Sequence, residues 1–388
     1  MTDFQCLEPA IDPSNRVSFL LDWELTMKCN LDCDYCSKGL YGGHDNSTQH
    51  PPLDQCVAAL EFMYQYADLY MQSKPEGIRH VILNVYGGES LHHPHIVSIL
   101  TRAHKLYQQH YKHKWYLTVT TTTNAIVTKK KLQRIIPLID EFTVSYHTNN
   151  TAKQKTLFKS NILDILAAGK RLKCVVLMHV EPDLFKDAQN MIAWCEQYKV
   201  KFLPRQLDQL KQDYGQEATF YPPELFKYDS QQVVWFEKLY QDKTYKFNPS
   251  KILPVMNVGD KINLTLMGRA CCGGRSLCKD QSYKSRDFYV QNNFFDWFCS
   301  VNEFFVYIKQ VTGEIFTNKD CKMNFDGAIG PIGNLNNTHE LLEQLKSQML
   351  QKILPTIQCK KTQCLCGLCA PKAKNQQDFD HIMVKYRS

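Results

Sequence analysis

Met27-Lys28-Cys29-Asn30-Leu31-Asp32-Cys33-Asp34-Tyr35-Cys36 is the stretch on which the reading of this chain turns. Its C-x-x-x-C-x-x-C spacing gives an iron-sulfur cluster three thiolates and leaves one iron without a protein ligand. An open iron is a place for chemistry. Zinc sites usually present two separated C-x-x-C-like pairs, and ferredoxin-type clusters use four cysteines. Three cysteines close together with no nearby fourth therefore favour an open cluster over the competing readings, a structural zinc or a disulfide.

The bulk of the chain suits an enzyme. Its 388 residues, 44% hydrophobic and 22% charged, can bury a sizeable core and form one large domain plus a smaller one. No apolar run approaches the roughly 20 residues of a membrane span, and the N-terminus lacks the regions of a signal peptide. The expected location is the cytoplasm, with no membrane partner. In an unexported chain the 16 cysteines argue for metal ligands rather than disulfides, and the glycosylation-like tripeptides at Asn46 and Asn149 are then chance. The net charge of +7 is modest, and the tightest basic cluster, Lys129 to Lys131, reads as a solvated helix start rather than a nucleic-acid patch.

Between residues 17 and 204, short β-rich runs alternate with longer helical patterns. Strands are expected at 18–24, 80–86, 116–121, 141–146, 173–180 and 200–204, with helices near 53–72, 95–110, 128–136, 153–169 and 186–197. In the first helix Val57, Leu60, Phe62, Met63, Tyr66 and Leu69 fall at helical spacing, as core packing. Repeated β-α units imply an α/β fold with a parallel sheet, helices outside, and functional groups at the strands' carboxyl ends. The cysteine run lies just beyond the first strand, where that rule would put it.

With Tyr35 just before its last cysteine, the run resembles the cluster motif of the radical S-adenosylmethionine (radical SAM) superfamily. The resemblance implies a partial (β/α)6 barrel over 1–206, with Cys29, Cys33 and Cys36 holding a [4Fe-4S] cluster whose free iron is chelated by S-adenosylmethionine (SAM). Tyr86-Gly87-Gly88-Glu89 after the second strand is similar to the family's G-G-E element, which binds the SAM amino group, although Gly-Gly-Glu taken alone is merely a turn. Thr123-Asn124-Ala125 is similar to its T-N-G segment, with Ala125 where glycine is usual. Ser145, at the end of the fourth strand, stands where relatives touch the SAM ribose or carboxylate; His147 beside it reads equally well as a structural histidine. Arg205, after the sixth strand, has the fork geometry to clamp a carboxylate of SAM or substrate, or to form a surface ion pair.

Residues 207–268 read as a bridge with one helix around 230–241. A second cysteine-rich region spans 269–388: Cys271, Cys272, Cys278, Cys299 and Cys321, then Cys359, Cys364, Cys366 and Cys369. Four cysteines within eleven polar, glycine-containing residues need a metal, and their compact spacing suits a cubane better than zinc's paired knuckles. This tail resembles the SPASM/twitch extensions of radical SAM maturases, which carry auxiliary clusters. Cys299, Gly313 and Cys321 would frame their hairpin, with strands at 306–308 and 314–316, and Ile332-Gly333-Asn334-Leu335 is like their I-G-N segment before a helix at 338–352. The last spacer of the hairpin is longer than usual and the terminal cysteine order differs. The ligand sets expected are Cys272, Cys278, Cys299 and Cys321 for one [4Fe-4S] cluster, with Cys271 a rival to Cys272, and Cys359, Cys364, Cys366 and Cys369 for another. Cys56, Cys174 and Cys195 read as buried thiols.

By this resemblance the reduced cluster cleaves SAM to methionine and a 5'-deoxyadenosyl radical, which abstracts a substrate hydrogen. The leading expectation is an oxidoreductase or maturase that oxidatively modifies a peptide or protein. A radical SAM enzyme acting on a small metabolite in cofactor or natural-product biosynthesis is the alternative. RNA modification and a non-enzymatic electron carrier rank lower, the first for want of a basic stripe or RNA-binding module. A reductant such as flavodoxin or ferredoxin is implied. With 28 residues before Cys29, leader recognition is expected to fall to a separate protein.

Overall fold

The structure is a computed structural model that describes residues 16–33, 36, 45–73, 78–206, 228–232, 234–235, 256–258, 262–264, 296–299, 305–316, 330–350, 357–358 and 372–380. Six strands alternate with five helices in its first half. They are β1 (Arg16–Thr26), α1 (Leu53–Gln72), β2 (Ile78–Gly87), α2 (Ile96–Leu106), β3 (Tyr116–Thr123), α3 (Lys129–Ile135), β4 (Glu141–Tyr146), α4 (Ala152–Ala167), β5 (Arg171–Met178), α5 (Pro182–Gln197) and β6 (Lys201–Gln206). Every expected strand and helix of this half is present, shifted by a few residues at its ends. The strands pair in parallel in the order 1-2-3-4-5-6.

Side-chain alternation explains the layers. On β1, Phe19, Leu21, Trp23 and Leu25 face the helices and join one large core with Leu60, Met63, Tyr70, Val81, Leu83 and Val119. Phe19 stacks on Tyr70 at 4.2 Å between ring centroids. The opposite face of the same strands is polar. Thr120 Oγ1 donates to Asn84 Oδ1 (3.0 Å), Asn84 Nδ2 donates to Asp22 Oδ1 (2.6 Å), and His80 meets Thr118 at 2.8 Å. A period-2 strand can present an apolar face to packing helices and a polar face to a ligand. Both faces of β1 are buried, so the carboxylates of Asp22 and Glu24 require partners; Tyr307 supplies one, donating to Glu24 Oε2 at 2.7 Å.

Tyr307 comes from the far end of the chain. After the short antiparallel pair β7 (Met256–Val258) and β8 (Ile262–Leu264), and β9 (Phe298–Cys299), the hairpin β10 (Phe305–Lys309) and β11 (Glu314–Phe316) joins the sheet. β10 lies parallel to the free edge of β1, with Leu20 opposite Phe305 and Glu24 opposite Lys309. β12 (Gly333–Asn334) adds to β11, giving a nine-stranded sheet in the order 12-11-10-1-2-3-4-5-6. Trp23 Nε1 donates to Gln310 Oε1 at 2.9 Å, and Gln310 N–H to the Glu24 carbonyl at 3.0 Å, so the junction is latched by side chain and backbone. The hairpin strands expected at 306–308 and 314–316 are therefore there, and they extend the barrel sheet itself. Helix α6 (Thr338–Leu350) follows and buries Leu345 in the same core. A separate three-stranded sheet has β9 between β13 (Ile357–Gln358) and β14 (Lys372–Ala373). Among the described residues no helix is long and apolar enough to cross a membrane.

Candidate cluster and cofactor site

Cys29 is the third residue beyond β1, at the carboxyl-end mouth of the sheet. Asp45 N–H donates to the Met27 carbonyl (2.7 Å), and Asn46 Oδ1 accepts from the Cys29 N–H (2.9 Å), so the chain after the cysteine run returns to fasten its start. From the other side the β2 turn presses in. Gly88 N–H donates to the Thr26 carbonyl at 2.7 Å and Glu89 N–H to the Lys28 carbonyl at 2.8 Å. A Cβ at Gly87 would fall on the Thr26 carbonyl, and one at Gly88 on the carbonyls of Met27 and Lys28. Two glycines are what this backbone-to-backbone approach requires.

Glu89 is fully buried. Its Oε1 accepts from Leu91 N–H (2.9 Å) and Thr123 Oγ1 (2.7 Å), and its Oε2 from Asn124 N–H (2.6 Å). Burial raises its carboxyl above the ordinary range, against the pull of these three donors and of Lys131. The carboxylate thus clamps the β2 turn to the end of β3, and what the turn leaves toward the mouth is backbone. Asn124 carries the bracing on: its Nδ2 donates to Asn30 Oδ1 (2.8 Å) and lies 3.8 Å from Cys29 Sγ, its Oδ1 accepts from Ile126 N–H, and Asn30 Nδ2 donates to the Ile126 carbonyl. Ala125 adopts φ 53°, a left-handed conformation that costs an L-residue roughly 1–2 kcal/mol. That conformation is the reason glycine suits this position.

Cys29, Cys33 and Cys36 share this loop, Cys33 buried and the other two half-buried. Burial pushes the Cys29 thiol up to about 12; the Leu31 N–H, 3.4 Å from its sulfur, pulls it down, while Glu89, Cys33 and Cys36 add to the rise. Three neighbouring soft sulfurs with N–H donors aimed at one of them match the ligand chemistry of an iron-sulfur cluster. Among the described residues no three His, Cys, Asp or Glu side chains converge as ligands of one metal ion. A cube binds each thiolate at a different iron and does not require that convergence. The residues present fit the cluster.

Comparison with known proteins comes down to structure, since no family model and no curated protein matches the sequence. The fold aligns with a hexahistidine-tagged anSMEcpe with bound AdoMet at a TM-score of 0.50 and 11% identity, covering 86% of this chain and 82% of that one. The fold is that of the radical SAM enzymes. Streptococcus suis SuiB bound to S-adenosylmethionine also aligns, at a TM-score of 0.47 and 13% identity over 85% of this chain; the chain spans 65% of SuiB's length.

Within the radical SAM fold the expected site residues fall into two groups. Cys29, Cys33, Cys36, Gly87, Gly88, Glu89 and Asn124 are brought together at the mouth. Ser145 is half-buried at the end of β4, on the strand face away from the helix-side Val144 and Tyr146. Arg205 pairs with Leu177 near the end of β6; its side chain lies outside the described residues. Tyr35, Cys272, Cys278, Cys321, Cys359, Cys364, Cys366 and Cys369 also lie outside them. Cys299 is buried on β9 opposite both Ile357 and Lys372, so the strands that bracket the Cys359–Cys369 run flank it on either side. Sequence reasoning missed Asn30 and Asn46. Amides in a loop carry no signal until the partners they bridge are known. Lys131 is half-buried and donates to the His93 carbonyl at 3.1 Å, unlike the solvated Lys129 and Lys130.

Proposed function

We infer that the chain is a radical SAM enzyme in which Cys29, Cys33 and Cys36 hold a [4Fe-4S] cluster at the sheet's mouth. The observation that carries this reading is the meeting of three thiols with the Gly87-Gly88 turn and Asn124 on a single braced loop. When bound, the cluster supplies one electron to the sulfonium of SAM, generating methionine and the radical that removes a substrate hydrogen. The protein's own work is binding and orientation. Cys29, Cys33 and Cys36 would hold the cluster as thiolates, so its loading would release protons; burial pushes the half-buried Cys29 thiol up to about 12. The backbone carbonyls of the Gly87-Gly88 turn would accept hydrogen bonds from the SAM ammonium, and Glu89 would hold that turn in place through its contacts with Leu91, Thr123 and Asn124. Ser145 would meet the SAM ribose or carboxylate, Arg205 would clamp a carboxylate of SAM or substrate, and Tyr35 lies between Cys33 and Cys36 in the sequence.

The finer reading is oxidative modification of a peptide or protein. Closing a substrate radical to an oxidised or crosslinked product releases one electron, and two auxiliary [4Fe-4S] clusters, on the quartets Cys272, Cys278, Cys299, Cys321 and Cys359, Cys364, Cys366, Cys369, would accept it. A low-potential one-electron donor of the flavodoxin or ferredoxin kind is the partner this chemistry needs.

Anaerobically reconstituted protein should hold about 12 irons per chain. Replacing Cys29, Cys33 and Cys36 together by Ala should remove about four of them and abolish 5'-deoxyadenosine formation from SAM under dithionite. SAM cleavage at the normal rate in that variant would overturn the assignment.

A further inference from the structure

The three thiols are not equally solvated. Cys29 and Cys36 are half-buried, while Cys33 is only 6% exposed. Cys29 has protein donors directed at it, from Leu31 N–H and the Asn124 amide. Beside Cys33 Sγ stands His147, its Nδ1 3.4 Å away, delivered from an element 114 residues further along the chain. His147 is the first residue beyond β4, and its carbonyl accepts from the Asn150 N–H at 3.2 Å, closing a turn that fixes the backbone there. This contact belongs to neither the glycine turn nor the Asn124 brace.

In a cluster ligand the sulfur is a thiolate, which accepts hydrogen bonds and cannot donate one. An imidazole nitrogen within reach must then be the donor, which selects the tautomer with its proton on Nδ1. We propose that His147 donates a hydrogen bond from Nδ1 to the Cys33 thiolate and so raises the reduction midpoint of the SAM-binding cluster. The inference rests on the cluster reading above and adds a positioning residue to it. Adding an electron makes the cluster sulfurs more negative, so a donor at sulfur stabilises the reduced state more than the oxidised one. The electron comes from outside the chain, one per reduction event, and no bond to His147 forms or breaks.

The test uses full-length, anaerobically reconstituted protein, with the SAM-binding cluster identified by the change in its reduced EPR spectrum when SAM is added. His147→Phe removes the donor, whereas His147→Asn keeps an amide N–H as many bonds from Cα as Nδ1. With iron content equal to the parent's, His147→Phe should shift the one-electron equilibrium toward the oxidised state by about tenfold, a midpoint about 59 mV lower, and His147→Asn should recover most of that shift. In the parent protein labelled with 15N-histidine, pulsed EPR of the reduced cluster should show a weak coupling to a histidine nitrogen. An unchanged midpoint in His147→Phe, or failure of His147→Asn to restore it, overturns the hydrogen bond while leaving the cluster in place. If His147→Phe loses its iron, the labelled parent decides, and a missing nitrogen coupling overturns the proposal. A parent protein with no SAM-responsive cluster would remove the cluster reading and the proposal together.

Discussion

The mouth of the large sheet gathers Cys29, Cys33 and Cys36, whereas the small sheet carries Cys299 among the described residues, and the two settings differ in what surrounds the sulfur. At the mouth the cysteine loop is anchored to long parallel strands, an apolar core to which six helices contribute, and hydrogen bonds involving Glu89, Asn30, Asn46 and Asn124. Around Cys299, β13 and β14 each pair with β9 through two positions among the described residues. The adjoining sequence, 359–369, is polar and glycine-containing, with four cysteines. A site framed by a core can exist before its metal arrives. If the region around Cys299 takes a cluster, as proposed above, it would draw part of its folding energy from the metal, as small metal-bound domains do.

Stripping the iron should give the largest effect that separates the two regions. We expect hydrogen exchange at Phe298–Cys299 and Ile357–Gln358 to rise by about 10- to 100-fold in the apoprotein, while β1 to β5 stay protected. Equal protection of both regions without iron would erase the distinction.

Glu89→Gln probes the preformed site at intermediate size. An amide nitrogen must face one of the three donors that the carboxylate now satisfies, leaving a buried hydrogen bond unmade at a cost of about 1–3 kcal/mol. A lower Tm in the apoprotein is the expected outcome, with weaker SAM binding following from the displaced Asn124 loop. If the Tm holds and only SAM affinity falls, the carboxylate meets the SAM ammonium directly, and the mouth is less self-sufficient than it looks.

The smallest expected effect is a pH dependence of the mouth's scaffold. Burial holds His50 and His93 down to about 4, from an ordinary 6.5. His50 also faces His92, Lys28 and Lys131, and His93 faces His50, His95 and Lys131. Between pH 6.5 and about 4 the unfolded chain takes up protons that the folded one refuses, so stability is full above 6.5 and declines as pH falls through that window. Thermal melts of apoprotein at about pH 7.5 and about pH 5 should show it, and His93→Gln, whose amide N–H lies as many bonds from Cα as Nε2 and keeps a donor toward the Pro51 carbonyl, should flatten the profile. A flat profile in the parent would mean that these histidines are already accessible to protons.

The order of strands and helices, the apolar spacing of α1 and the cysteine spacing were legible in the sequence alone, because each is a local pattern: β-rich runs, period 3.6, or three thiols in one loop. Gly87-Gly88-Glu89 was legible as a turn, and the structure sets that turn against Thr26 and Lys28 at the start of the cysteine run. The inward burial of Glu89 was not legible, since a carboxylate's direction depends on donors supplied by Thr123 and Asn124, residues 34 and 35 positions away. The same limit applies to the union of β10 with β1 through Trp23 and Gln310, which spans 287 positions, and to the seat of His147 against Cys33. Periodicity specifies which face of a segment is apolar. Which segments meet across the fold is decided by packing and hydrogen-bond satisfaction over the whole chain, and only the tertiary structure carries that.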